Sequence, residues 1–295
     1  MWRTVVAMPL AVGVLAGSGH AAAPSLQSAP TRLTFGYDRS RALDYVDRGV
    51  VGHRGAVAVH DISYQSSGER VDGFLVENLA KQRRPGIILV HGSGGDRSEL
   101  LGSAVALAQR GTVTLTITEP SAAHPPPRPT SLAALLAQSR TVQVRDVIAI
   151  RRGADVLQSL PSVAPRKIGY LGWSAGAKTG AYVAASDQRF RALALLSAGA
   201  DQLAAFVAAA PPALRPLVKQ QLGRIDPLRY IAAARPGTVL LEDGTRDKVV
   251  PHRALLNMID AAPRGTIVRW YPAGHGLNNA AYREAFAWLV NKLGA

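Results

Sequence analysis

Three residues suited to acyl transfer stand far apart in the chain: Ser174, Asp247 and His275. A serine hydroxyl is a poor nucleophile at neutral pH and needs a neighbouring base to take its proton. A histidine can serve as that base, and a carboxylate behind it holds the imidazole tautomer and stabilises the imidazolium. Each of the three sits in a short stretch that leaves it accessible. Ser174 is the centre of Gly172-Trp173-Ser174-Ala175-Gly176, Asp247 ends Glu242-Asp243-Gly244-Thr245-Arg246-Asp247, and His275 lies between glycines in Ala273-Gly274-His275-Gly276. Asp243, nearer the preceding apolar run, is the alternative acid.

The tetrahedral intermediate of such a reaction carries an oxyanion, which two aligned backbone N–H groups can stabilise. The residue after the nucleophile, Ala175, supplies one. The turn His91-Gly92-Ser93-Gly94-Gly95 supplies the other, from Ser93 or alternatively Gly94, because glycines there let the backbone approach a ligand closely. His91 itself reads as structural rather than catalytic.

These groups need a frame. The apolar run Ile168 to Leu171, the serine turn and the small-residue segment after it read as strand, sharp turn and helix, the G-x-S-x-G elbow. Its two glycines have a mechanical reason, since a side chain two residues either side of Ser174 would collide with the strand or helix beside so tight a turn. From Pro85 onward, strands at Ile87–Val90, Thr112–Thr118, Ile168–Leu171, Ala192–Leu196, Thr238–Leu241 and Ile267–Trp270 alternate with helical segments over 98–109, 140–160, 253–259 and 282–293. That alternation predicts a mostly parallel sheet, and ligands bind beyond the carboxyl ends of its strands, where all four polar stretches fall. Val57–Tyr64 and Val71–Asn78 alternate on either side of Ser66–Glu69, predicting an antiparallel hairpin at the sheet edge. Residues 31–37 read as a short strand and 38–48 as a charged cap on the outside of the domain. The proline-rich segment 119–139 and the alanine- and proline-rich segment 200–225 are candidate caps over a pocket. Asp226-Pro227 reads as an N-cap with proline at the first helical position.

Composition bounds the function. The chain has 295 residues, 47% hydrophobic and 18% charged, ordinary for a globular domain. Its net charge of +14 comes from scattered arginines, and no zinc-finger or RNA-recognition pattern is present, so no specific nucleic-acid binding is expected. The absence of cysteine excludes disulfides, thiolate catalysis and cysteine-ligated zinc. Histidines 53, 60, 124 and 252 show no metal-ligand spacing. Gly172 to Thr179 is one residue from a phosphate-binding loop, but Ala177 stands where the second glycine belongs. Lys178 is then expected on the elbow helix, pointing outward. Arg3, the apolar stretch Val5–Ala16 and Ala21-Ala22-Ala23 read as a secretory signal over 1–23. The expected organisation is that signal, an N-terminal extension over 24–54 and one domain over 55–295, with no stable membrane anchor once the signal is cleaved. An uncleaved anchor is the alternative.

The hairpin, the H-G-x-G-G turn, the elbow and the order Ser, Asp, His together resemble the α/β-hydrolase family over roughly residues 55 to 295. The likeness is nearest the dienelactone-hydrolase and prolyl-oligopeptidase-like branch. It implies an α/β-hydrolase fold, with a mostly parallel central sheet, an N-terminal antiparallel hairpin and helices on both faces. It further implies a triad of Ser174, His275 and Asp247, oxyanion donors at Ser93 and Ala175, a small-molecule ester substrate, and no metal or organic cofactor. Val249-Val250-Pro251 matches the family's loop after the acid. Dienelactone hydrolases carry cysteine where Ser174 stands, which favours a serine esterase, secreted or periplasmic. A peptidase or amidase and a catalytically silent binding protein are the alternatives; prolyl-oligopeptidase relatives carry a large extra domain for which this chain has no room.

Overall fold

The computed structural model describes residues 33–78, 82–200 and 202–295. The secretory-signal segment 1–23 lies outside the described residues.

One sheet of nine strands runs through the molecule in the order β1-β2-β3-β5-β4-β6-β7-β8-β9. Its antiparallel side comprises β1 (Val46–Arg54), β2 (Val57–Ser66) and β3 (Glu69–Asn78). Ser67 and Gly68, both at positive φ, close the β2–β3 hairpin in the geometry that suits the twist of two antiparallel strands. β3 joins β5 (Val113–Ile117) antiparallel. From there β5, β4 (Arg84–Val90), β6 (Val163–Trp173), β7 (Phe190–Leu196), β8 (Val239–Gly244) and β9 (Ile267–Tyr271) run parallel. The continuous apolar runs are the strands buried on both faces; every residue of β5 is buried.

Each face of the sheet carries its own core. On one, Leu107 of α1 (Leu101–Ala108) packs with Leu171, Trp173 and the Phe286 and Leu289 side chains of α9 (Asn279–Leu293). On the other, Ile150 of α3 (Leu132–Ser159), Tyr182 of α4 (Ala175–Ser186), Ile231 of α7 (Pro227–Ile231) and Met258 of α8 (His252–Ala261) pack together. A third, small core lies apart from both. In it the start of α3, through Leu136, meets α5 (Gln202–Ala209) and α6 (Arg215–Leu222), through Phe206, Val218 and Leu222. Asp226 caps α7 as expected, its side chain accepting from Leu228 N–H at 3.1 Å.

The structure departs from expectation in several places. Residues 33–37 form no strand; instead Val46–Arg54, expected to be charged cap and extension, is the outermost strand, so the hairpin lies one strand in from the edge. β1 is exposed or half-buried along its whole length, and a strand without a buried face leaves no apolar alternation to read. α3 begins at Leu132 rather than near residue 140, capped by the Ser131 side chain, which accepts from Ala134 N–H. α1 begins at Leu101 rather than 98, because Asp96 turns the chain by accepting from both the N–H and the hydroxyl of Ser98. Pro120–Ala123 forms one helical turn, α2, within the proline-rich candidate cap segment 119–139. Among the described residues, no helix is long and apolar enough to cross a membrane.

Candidate active site

Ser174 stands between β6 and α4 with φ 55° and ψ −112°, a backbone conformation that strains any residue with a side chain. Its surroundings hold it there. Ser174 N–H donates to Leu196 O at 2.8 Å and Gly176 N–H to His91 O at 3.0 Å, tying the elbow to β7 and β4. The glycines are required sterically. A Cβ at Gly172 would sit 2.5 Å from the Gly176 carbonyl group, and one at Gly176 would run into the carbonyl oxygens of Val90 and His91.

Ser174, His275 and Asp247 form one hydrogen-bonded chain. Ser174 Oγ lies 2.8 Å from His275 Nε2, and His275 Nδ1 lies 2.8 Å from Asp247 Oδ2. An ionised carboxylate only accepts, so Nδ1 carries the proton and Nε2 is left to accept from the serine hydroxyl. The other oxygen of Asp247 accepts from Val249 N–H at 2.8 Å and Val250 N–H at 3.0 Å, which fixes the carboxylate plane. The Asp247 side chain is 1% exposed and that of His275 13%, so water barely competes for these bonds. Asp243, the alternative acid, is not the residue bonded to His275. Its carboxyl is buried at the end of β8, where desolvation, aided by the Asp247 charge, pushes it up to about 7.

Ala175 opens α4, so its N–H belongs to the first turn, which has no intrahelical acceptor. In the turn after β4, Glu99 Oε2 accepts from Gly92 N–H at 2.7 Å and Gly95 N–H donates to Gly92 O, while the N–H groups of Ser93 and Gly94 bond to no acceptor among the described residues. Either can serve as second oxyanion donor. His91 is buried and structural, as expected: its ring contacts Gly92 O at 2.7 Å through Nδ1 and accepts from Glu119 N–H at 3.1 Å through Nε2, tying the turn to the end of β5.

No family model matches the chain, and no curated protein matches it. Its structure is similar to that of an acetyl xylan esterase from a Thermoanaerobacterium species, with a TM-score of 0.69 at 15% identity over 86% of this chain and 89% of that one. It is also similar to Est1E from Butyrivibrio proteoclasticus (TM-score 0.62, 15% identity, 80% of this chain and 99% of that one). A putative dienelactone hydrolase from Klebsiella pneumoniae gives a TM-score of 0.60 at 14% identity, over 81% of this chain and 99% of that one. The chain has the α/β-hydrolase fold.

Around the elbow of this α/β-hydrolase fold stand residues whose parts the sequence does not declare. The indole N–H of Trp173 donates to the main-chain carbonyl of His275 at 3.0 Å, and the hydroxyl of Ser197 donates to the same oxygen at 2.9 Å. Two neighbouring strand ends thus hold one loop. Ser197 and Leu277, like Ser174, have positive φ (54° and 58°), so the strained non-glycine backbone of this rim gathers around His275.

Lys178 does not point outward. It lies one turn beyond Ser174 on α4 and lines a cavity of about 730 Å³ between α4 and the α5–α6 segment. Burial lowers its pKa, opposed by the charge of Glu119. Glu119, at the end of β5, is pushed up to about 8 by its own burial and by Asp146. Ser174 itself does not line the cavity; Lys178, four residues on, is the first residue of α4 that does. Among the described residues, no cluster of His, Asp and Glu could hold a metal ion.

Proposed function

We propose that the protein is a serine hydrolase that cleaves carboxylic esters through an acyl-enzyme. The observation that carries this reading is the hydrogen-bonded chain from Ser174 through His275 to Asp247 at the carboxyl ends of β6, β8 and β9. Ser174 Oγ attacks the ester carbonyl carbon while His275 Nε2 takes its proton. The carbonyl oxygen gathers negative charge beside Ala175 N–H and the Ser93–Gly94 turn. The C–O bond to the alcohol then breaks, and His275 returns the proton to the departing oxygen. Water repeats the cycle: His275 takes its proton, the hydroxide oxygen bonds the acyl carbon, and Ser174 leaves reprotonated. Asp247 remains ionised throughout and stabilises the imidazolium.

Structural neighbours described as esterases support this class, and one of them, Est1E, is described with ferulic acid bound. Residues 1–23, read as a secretory signal, extend the proposal to a secreted or periplasmic enzyme; an N-terminus that still begins at Met1 in the exported protein would count against it. The decisive test is Ser174→Ala. It should abolish hydrolysis of p-nitrophenyl acetate and labelling by a fluorophosphonate, with the circular dichroism spectrum unchanged. Retained hydrolysis would overturn the assignment.

A further inference from the structure

We infer that the cavity between α4 and α5–α6 is the acyl pocket of this site, and that it selects apolar acyl groups much longer than acetyl. The inference rests on Ser174 being the nucleophile. Position is the first argument. Ser174 leads directly into α4, and Lys178 and Tyr182 follow at four-residue intervals, which places them along one face of the helix. Both line the cavity, so it lies along α4 starting one turn beyond Ser174.

The second argument is which side of the ester each half must occupy. The departing alcohol takes its proton from His275 Nε2 and so leaves on the His275 side. That side belongs to the layer of α1 and α9: the His275 ring lies tilted against Trp173 at 5.2 Å between ring centroids, and Trp173 and Leu277 pack into that layer's core. The cavity lies on the opposite face, where Tyr182 belongs to the α3–α4–α7–α8 core. The acyl group stays bonded to Ser174 and extends away from His275, toward the cavity.

Size and lining give the third. About 730 Å³ falls within the roughly 300–1,000 Å³ of pockets that take drug-sized ligands. A methyl group would leave it almost empty. The walls are largely apolar, with Tyr182, Leu203, Phe206, Val207, Leu222 and Ile225 facing it. Each additional buried CH₂ should favour the longer ester by about fourfold until the space is filled.

The test compares p-nitrophenyl acetate with p-nitrophenyl octanoate. We expect kcat/KM for the octanoate to exceed that for the acetate at least tenfold. Val207→Trp, which fills the cavity, should lower that ratio at least tenfold; Phe206→Ala, which widens it, should move the optimum to longer chains and guards against a misfolded tryptophan variant. Ethyl octanoate and octyl acetate then locate the pocket. Val207→Trp should depress hydrolysis of the former more than the latter, and the reverse would assign the cavity to the alcohol and overturn the inference. A wild-type ratio at or below one, or ratios unmoved in both variants, would overturn it too while a fluorophosphonate still labels Ser174. Failure of the wild type both to label and to cleave any of these esters would instead bring down the hydrolase reading and the pocket with it.

Discussion

The indole N–H of Trp173 holds the main-chain carbonyl of His275 at 3.0 Å, while its ring lies 5.2 Å from the imidazole. The residue beside the proposed nucleophile therefore restrains the backbone of the proposed base. Trp173→Phe keeps an aromatic ring and removes the donor, leaving Ser197 as the other donor to that oxygen. A net hydrogen bond is worth about 1 kcal/mol, or about fivefold in rate if all of it is expressed in the transition state. Steady-state kinetics on a p-nitrophenyl ester should show kcat lowered by about that factor with KM nearly unchanged, and a further loss in the double variant with Ser197→Ala. A KM effect alone would place Trp173 against substrate instead.

Asp247→Asn separates orientation from charge. The amide oxygen can still accept from Val249 and Val250, so the loop should keep its shape. Its NH₂ would then face His275 Nδ1, which can only accept, and the proton would move to Nε2, where a base is needed. The expected loss in kcat is about 10⁴-fold, with little change in melting temperature. Asp243→Asn, not bonded to His275, should leave kcat within about threefold, and equal losses in the two variants would contradict the assignment of the acid.

Asp243 and Glu242 make stability depend on pH. Burial pushes them up to about 7 and about 8 respectively. Between about pH 4 and those values the folded chain holds protons that the unfolded chain releases, so their contribution is fully present below about pH 4 and falls as pH rises through the window. The slope is at most about 1.4 kcal/mol per pH unit for each group. Asp243→Asn removes one source of that decline. Thermal melts from pH 5 to pH 8 should show the variant gaining on the wild type as pH rises, and a difference independent of pH would mean that Asp243 folds ionised.

The strands of the parallel half can be read directly from the chain because burial on both faces demands unbroken apolar runs, as in Ile87–Val90 and Ala192–Leu196. The rim residues can be read because each follows such a run within a few positions. β1 cannot, since neither of its faces is buried. The first turns of α3 cannot either, because Leu132 and Leu136 pack with the α5–α6 segment rather than into the main core that Val147 and Ile150 join, and that segment is remote in sequence. The direction of Lys178 depends on that same segment closing over α4. The bond from Trp173 to His275 joins residues 102 positions apart, and nothing local to either announces it.

The two cores on opposite faces of the sheet have a consequence for how the site can fail. Ser174 enters the helix layer of α4, whereas the loop bearing His275 is pinned against Trp173 and continues into α9 in the other layer. The 2.8 Å contact between their side chains is thus a gauge of how the two layers register against each other. A cavity opened in either core could let its layer slip by a fraction of an ångström and detune the proton transfer while the sheet between them stays intact. On the proposed mechanism, loosened packing in either core is expected to cost activity before it costs secondary structure.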